Sequence, residues 1–129
     1  MAVVLLIGRI IVGLYYVYNA FNHFSHEKAM AIYAGSKNVP EPGLAVIGSG
    51  ILLLIGGISI GFGILPLVGV CALVLFFLVV SFKMHNFWAV EDEREKMTQR
   101  IHFMKNMALM GSALMFLGIP TPWPLSFGW

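Results

Sequence analysis

The chain has 129 residues, of which 59% are hydrophobic and only 11% charged, and its formal net charge is +2. Soluble domains of this size need more polar side chains to cover their surface, with about 25% charged residues on average. The composition therefore excludes a water-soluble enzyme, a disordered chain and a basic nucleic-acid-binding domain. The single cysteine also excludes a disulfide framework. These numbers predict an integral membrane protein whose main partner is the lipid bilayer and which binds no nucleic acid.

The apolar runs predict where the chain crosses the membrane, because a bilayer core needs about 20 apolar residues per helix. A charge-free run, Pro42–Phe82, is too long for one span and is divided by a turn signal at Gly61–Pro66. A short surface helix is expected at 26–34, capped by Ser25. The predicted fold is all-α: one domain, 1–129, forming a transmembrane four-helix bundle of up-down topology with short connections. The predicted spans are 3–23, 43–61, 65–83 and 100–118.

Charge predicts the orientation of these spans. The two polar connections would lie on one side and carry six basic residues, whereas the opposite side carries only Arg9. The positive-inside rule then places both termini outside the cytoplasm of a multi-pass protein in the plasma (inner) membrane of a prokaryote. The fourth helix is expected to begin near Asp92, and Trp123 and Trp129 to lie in the outer aromatic belt. The six basic residues are Lys28, Lys37, Lys83, Arg94, Lys96 and Arg100.

One stripe of the first span combines small, polar and aromatic residues at helical spacing and is predicted to face the bundle. An ionisable group within a span costs a few kcal/mol on insertion scales, so Arg9 needs a reason to be there. Two explanations for Arg9 remain open: its side chain extends to the outer lipid headgroups, or it is buried within the bundle. The stripe consists of Arg9, Gly13, Tyr16, Ala20 and His23.

A second polar cluster lies on the fourth helix, where His102, Lys105 and Asn106 share one face. Because the first and fourth helices run in opposite directions, this cluster should lie level with Asn19 and His23. These five residues are the candidate ligand-binding pocket, near the cytoplasmic face. No catalytic residue is assigned, and no metal site is predicted.

Three interpretations of this pocket remain. Its polar residues can simply belong to the membrane interface, where water begins. They can instead bind a quinone headgroup or another small polar ligand; the carbonyls of a quinone would accept hydrogen bonds from Lys105, Asn106 and a histidine. Haem would need two facing imidazoles, such as His23 and His102, but no strong ligand motif is present and haem is disfavoured. No cofactor is evident in the chain itself, and a quinone is the candidate ligand.

The second span is rich in glycine, and Gly57-x-x-x-Gly61 permits close approach of another helix. Packing within the chain and dimerisation both explain this pattern.

Several short segments resemble the DoxX-like family of small membrane proteins. They are Arg9-x-x-x-Gly13-Leu14, the glycine-rich second helix, Asn86-Phe87-Trp88 before an acidic stretch, and Phe103-Met104-Lys105-Asn106-x-Ala108-Leu109-x-Gly111. The resemblance covers about 5–118 and implies a four-helix membrane bundle. The family takes its name from a quinone-linked thiosulfate oxidation system, and some members are associated with sulfur or redox homeostasis. Many relatives have a glutamate in the second helix, whereas Ala45–Gly57 here contains no acid.

Two functions are therefore expected as the main alternatives, and a small-solute carrier ranks last because four unbroken spans make a poor carrier unless they oligomerise. The first is an integral membrane subunit of a quinone-linked or sulfur/redox-associated system, with electrons supplied by a partner. The second is a non-enzymatic accessory or assembly subunit that packs against a larger membrane complex. Both imply other membrane subunits or a homo-oligomer as partners, and whether the chain is an enzyme is left open.

Overall fold

A computed structural model describes residues 1–128, which form five α-helices and two short 3-10 helices and contain no strand. The prediction of an all-helical protein is confirmed. The helices are α1 (Ala2–Ser25), α2 (Glu27–Ser36), α3 (Pro42–Phe62), α4 (Pro66–Met84) and α5 (Glu93–Met115), and the 3-10 helices are Phe87–Ala89 and Phe116–Gly118.

Three of the helices, α1, α3 and α4, are long and apolar enough to cross a membrane. Many of their large apolar side chains are exposed on the outer faces, where only a lipid environment can cover them without cost. The chain is therefore a membrane protein that contacts the bilayer. The helix α5 has 23 residues, but its first turns are charged and it is not among these candidates. The four-span bundle stays a prediction.

The sequence predicted how two helices begin: one near Asp92 and one after a cap at Ser25. The helix α5 begins directly after Asp92, whose carboxylate accepts a hydrogen bond from the Glu95 backbone N–H at 2.9 Å. This cap satisfies one of the free N–H groups of the first turn, so the expected start near Asp92 is confirmed. The expected cap at Ser25 is wrong. Ser25 is the last residue of α1, and α2 follows after His26 without a side-chain cap, because α1 continues through the apolar run.

The helices α1 and α3 are antiparallel and approach each other closely at a glycine contact. A Cβ atom on Gly13 would lie 2.8 Å from the Gly57 carbonyl oxygen and 2.9 Å from Gly61 Cα. Only a residue without a side chain fits between two backbones at that distance. The glycine pattern of the second span therefore serves packing within the chain. It also explains why Gly13 belongs to the buried stripe of α1, together with Arg9, Tyr16 and Ala20.

The remaining long helices pack in sequence, α3 against α4 and α4 against α5. Leu73 of α4 fills the space beside Gly56 of α3, and Phe82 of α4 contacts Phe103 of α5 with 5.4 Å between the ring centroids. The helices α1 and α5, both fully described, make little direct contact. A gap therefore lies between the first and last long helices.

One end of this gap is closed by the segment that follows α5. Arg9 is completely buried and donates to the carbonyl oxygens of Pro124 at 3.0 Å and Leu125 at 2.8 Å. Its guanidinium also lies 5.6 Å from the centroid of the Trp123 ring. Of the two explanations for Arg9, the structure therefore selects burial within the bundle.

The expected position of Trp123 in an outer aromatic belt is wrong. Its side chain is only 2% exposed, because it packs against Phe116 and beneath Arg9 within the core. The other tryptophan of that prediction, Trp129, lies outside the described residues.

Candidate functional site

The half of the gap between α1 and α5 that lies away from this closed end is a polar cavity of about 130 Å³. Its floor is apolar and consists of Leu53, Phe76, Phe77 and Val80. Its walls come from α1, from the end of α4 and from α5. The polar and aromatic wall residues are Tyr15, Tyr16, Asn19, His23, His85, Lys105 and Asn106.

Four of the five residues predicted to form a pocket line this cavity. Asn19 and His23 contribute one wall from α1, and Lys105 and Asn106 contribute the opposite wall from α5. The fifth, His102, is not among the lining residues. The structure thus brings the two predicted clusters together across the gap, while their role in binding a ligand stays a prediction.

Hydrogen bonds determine which nitrogen of His23 carries a proton. The Ser49 hydroxyl donates to the Val46 carbonyl at 2.8 Å, so its oxygen is left to accept from His23 Nδ1, also at 2.8 Å. The Val46 carbonyl, 3.3 Å from the same nitrogen, can only accept. The proton of neutral His23 therefore lies on Nδ1, and Nε2 remains a hydrogen-bond acceptor.

The same reasoning applies to His85, which follows α4. Gln99 of α5 is buried, and its amide N–H donates to the Tyr33 hydroxyl at 3.0 Å. The Gln99 carbonyl oxygen thus faces His85 Nδ1 at 2.7 Å and accepts a hydrogen bond from its N–H group. Burial raises the pKa of the Tyr33 hydroxyl above its ordinary value, so this phenol stays protonated at neutral pH. Neutral His85 therefore also presents Nε2 as an acceptor.

The position of His102 differs from the predicted one. Its ring stacks on the ring of His85, with 5.1 Å between the centroids and 30° between the planes. His102 therefore supports a wall of the cavity from behind. His102 therefore faces the imidazole of His85, and not that of His23, with which it was paired in the haem interpretation. Within residues 1–128 no group of three or more His, Cys, Asp or Glu side chains is arranged to hold a metal ion.

The remaining polar groups complement the two histidines. The Asn19 amide N–H donates to the Tyr15 carbonyl at 2.8 Å, which leaves the Asn19 carbonyl oxygen as an acceptor. Lys105 offers three N–H donors, and the buried Asn106 offers both N–H and C=O groups. The cavity thus combines donors from α5 with acceptors from α1 and from His85.

Sequence reasoning expected His85 on the same cytoplasmic side as the predicted pocket but did not assign it to the pocket, which it lines. It missed Ser49, Gln99 and Tyr33. Gln99 gives the one signal that could have been used. It is an uncharged polar residue one turn before the predicted cluster, three positions from His102 on the same face. Tyr33 belongs to α2, and no local sequence pattern reveals that α2 contacts α5.

A protein-family model described as DoxX matches residues 4–86, which is more than half of the chain. The matched segment contains all but the first two residues of α1, the helices α2 to α4 and His85, and it ends before α5. No curated protein and no solved structure matches the chain.

Proposed function

This chain belongs to the DoxX family, and on that premise we propose that it is an integral membrane subunit of a quinone-linked redox system. In this proposal the polar cavity between α1 and α5 binds the quinone headgroup. Electrons come from a partner protein in the membrane.

The observation that carries the proposal is the placement of donors opposite acceptors around one small cavity. A volume of about 130 Å³ is close to the ~150 Å³ cavity that admits a single benzene ring. Lys105 and Asn106 can donate to a carbonyl oxygen, and the Nε2 atoms of His23 and His85 can accept from a hydroxyl. A bound quinone would supply two-electron, two-proton redox chemistry. The residues of the cavity therefore suit both the carbonyl form and the hydroxyl form of such a ring.

The role of each residue follows from its protonation. Lys105, as a cation, stabilises negative charge on the headgroup oxygen that it contacts. His23 and His85 can each take up a proton on Nε2, because the Nδ1–H group already donates a hydrogen bond, to Ser49 in His23 and to Gln99 in His85. Ser49 and Gln99 act as positioning residues that keep the two rings in this tautomer.

The expected result concerns binding of a 1,4-benzoquinone without a tail to the purified protein in mild detergent. Lys105→Ala and Asn106→Ala should each weaken binding about tenfold, because a hydrogen bond to a charged or buried group contributes ~1–2 kcal/mol. Isothermal titration calorimetry on the folded variants measures this effect.

Lys96→Ala on α5 and Asn22→Ala on α1 are the controls of matching side-chain type, since both residues belong to helices that line the cavity but are not themselves among its lining residues. The controls should bind like the wild type. Equal affinity in all five proteins would contradict the assignment of the headgroup to this cavity. A wild type that binds no quinone but purifies within a larger membrane complex would support the accessory-subunit alternative instead.

The proposal includes α5 as the fourth span, with the cavity toward the cytoplasm of a prokaryotic plasma membrane. The second half of α5 is apolar and α5 packs along α4, which supports its placement as a span. The charged first turns of α5 carry basic residues, which suit the cytoplasmic side of a membrane. A periplasm-dependent enzyme reporter fused after Trp129 should be active, and the same reporter inserted after Asn38 should be inactive. The reverse pattern would contradict this orientation.

A further inference from the structure

A second cavity, mainly apolar, lies beside the polar one. It has a volume of about 270 Å³, is lined by residues of α1, α2, α3 and α4, and is open in part to the surroundings of the bundle. Much of its wall consists of aliphatic side chains: Met30, Ala34, Val39, Ala45, Val46 and Val79. The headgroup proposal does not use this space.

The two cavities share part of their walls. His23, Val80 and His85 line both of them, so the two imidazoles stand at the boundary between a polar and an apolar compartment. A molecule that occupies both compartments must have a polar head and an apolar chain joined next to these rings. We propose that the apolar cavity binds the isoprenoid tail of the quinone, whose headgroup lies in the polar cavity. This inference rests on the proposed function.

The size of the apolar cavity limits how much of the tail it holds. Since a cavity of ~150 Å³ accommodates the six carbons of benzene, about 270 Å³ accommodates roughly ten carbons, or two isoprene units. A tail in the bilayer is already out of water, so its binding to this cavity depends on van der Waals contact with the walls rather than on hydrophobic free energy. The cavity selects by shape, and a side chain that fills it should exclude the tail by steric overlap.

The test compares two quinones that carry the same ring, one without a tail and one with two isoprene units. Ala45→Trp and Val79→Trp each place an indole in the apolar cavity from an exposed position, so neither should prevent folding. Each variant should weaken binding of the tailed quinone about tenfold or more, while binding of the tail-less ring changes less than about twofold. The control is Leu44→Trp, an exposed neighbour of Ala45 that does not line the cavity.

The outcomes separate this inference from the function on which it rests. If both quinones bind the wild type and the two tryptophan variants affect them equally, the tail site is wrong while the headgroup site stands. If the tail-less ring does not bind the wild type at all, the proposed function fails. If a ten-carbon fatty acid competes with the tailed quinone but not with the tail-less ring, a chain site is supported. If the fatty acid binds and neither quinone does, the occupant is a lipid and the inference is overturned.

Discussion

Arg9→Met is expected to release the segment after α5 and to lower the free energy of unfolding by about 3 kcal/mol. The two hydrogen bonds from the Arg9 guanidinium to Pro124 and Leu125 involve a charged donor, and each such bond contributes ~1.5–3 kcal/mol. Methionine fills similar space but cannot donate. Limited proteolysis in detergent should therefore cut within 119–128 in the variant, and thermal unfolding should begin at a lower temperature.

Two further variants make the Arg9 experiment specific. Arg94→Met removes an exposed arginine from the first turn of α5 and should leave both proteolysis and stability near the wild type. Arg9→Lys keeps the charge but has a single ammonium group in place of the planar fork, so it should recover only part of the lost stability. An Arg9→Met protein as stable and as protease-resistant as the wild type would show that these hydrogen bonds do not hold the segment.

Gly13→Val is expected to destabilise the protein by about 3 kcal/mol, through the contact between α1 and α3. The first added carbon alone would lie within 3 Å of the Gly57 carbonyl oxygen and of Gly61 Cα, which are backbone atoms that cannot rotate away. Overpacking of this kind costs ~1–3 kcal/mol or more, since the two helices must separate. Reversible unfolding in mixed micelles measures the change.

The matched control for this substitution is Gly8→Val, on the same helix. A Cβ atom on Gly8 meets no other atom within 4 Å, so the substitution tests the effect of valine on the helix without a packing change. Its stability should stay within about 0.5 kcal/mol of the wild type. Equal effects at Gly8 and Gly13 would mean that the close approach of α1 to α3 does not govern stability.

The buried face of α1 could be predicted from the sequence because helical hydrogen bonds are local and repeat every 3.6 residues. Four of the five residues in the predicted stripe, Arg9, Gly13, Tyr16 and Ala20, are buried, and the fifth, His23, is half-buried. The start of α5 at Asp92 was predictable for a similar reason, since a capping carboxylate acts on a backbone N–H three residues away.

The contacts of the candidate site could be predicted only in part. Opposite directions of the first and last long helices are enough to bring Asn19 and His23 level with Lys105 and Asn106, and these four side chains do line one cavity. The choice between His85 and His102 depends on how far α5 is rotated about its axis against α4. That rotation is decided by packing between side chains distant in sequence, such as Phe82 against Phe103.

By itself, the sequence determined that this is a helical membrane protein, and it predicted that polar residues of the first and last long helices lie at one level. Charge, hydropathy and helical period depend only on residues close to each other along the chain. The tertiary structure alone decided that Arg9 binds the carbonyls of Pro124 and Leu125, more than a hundred positions away. It also decided that two cavities meet at His23 and His85. Both features depend on which distant segments share a space, and that is settled by packing and by the need to pair buried polar groups.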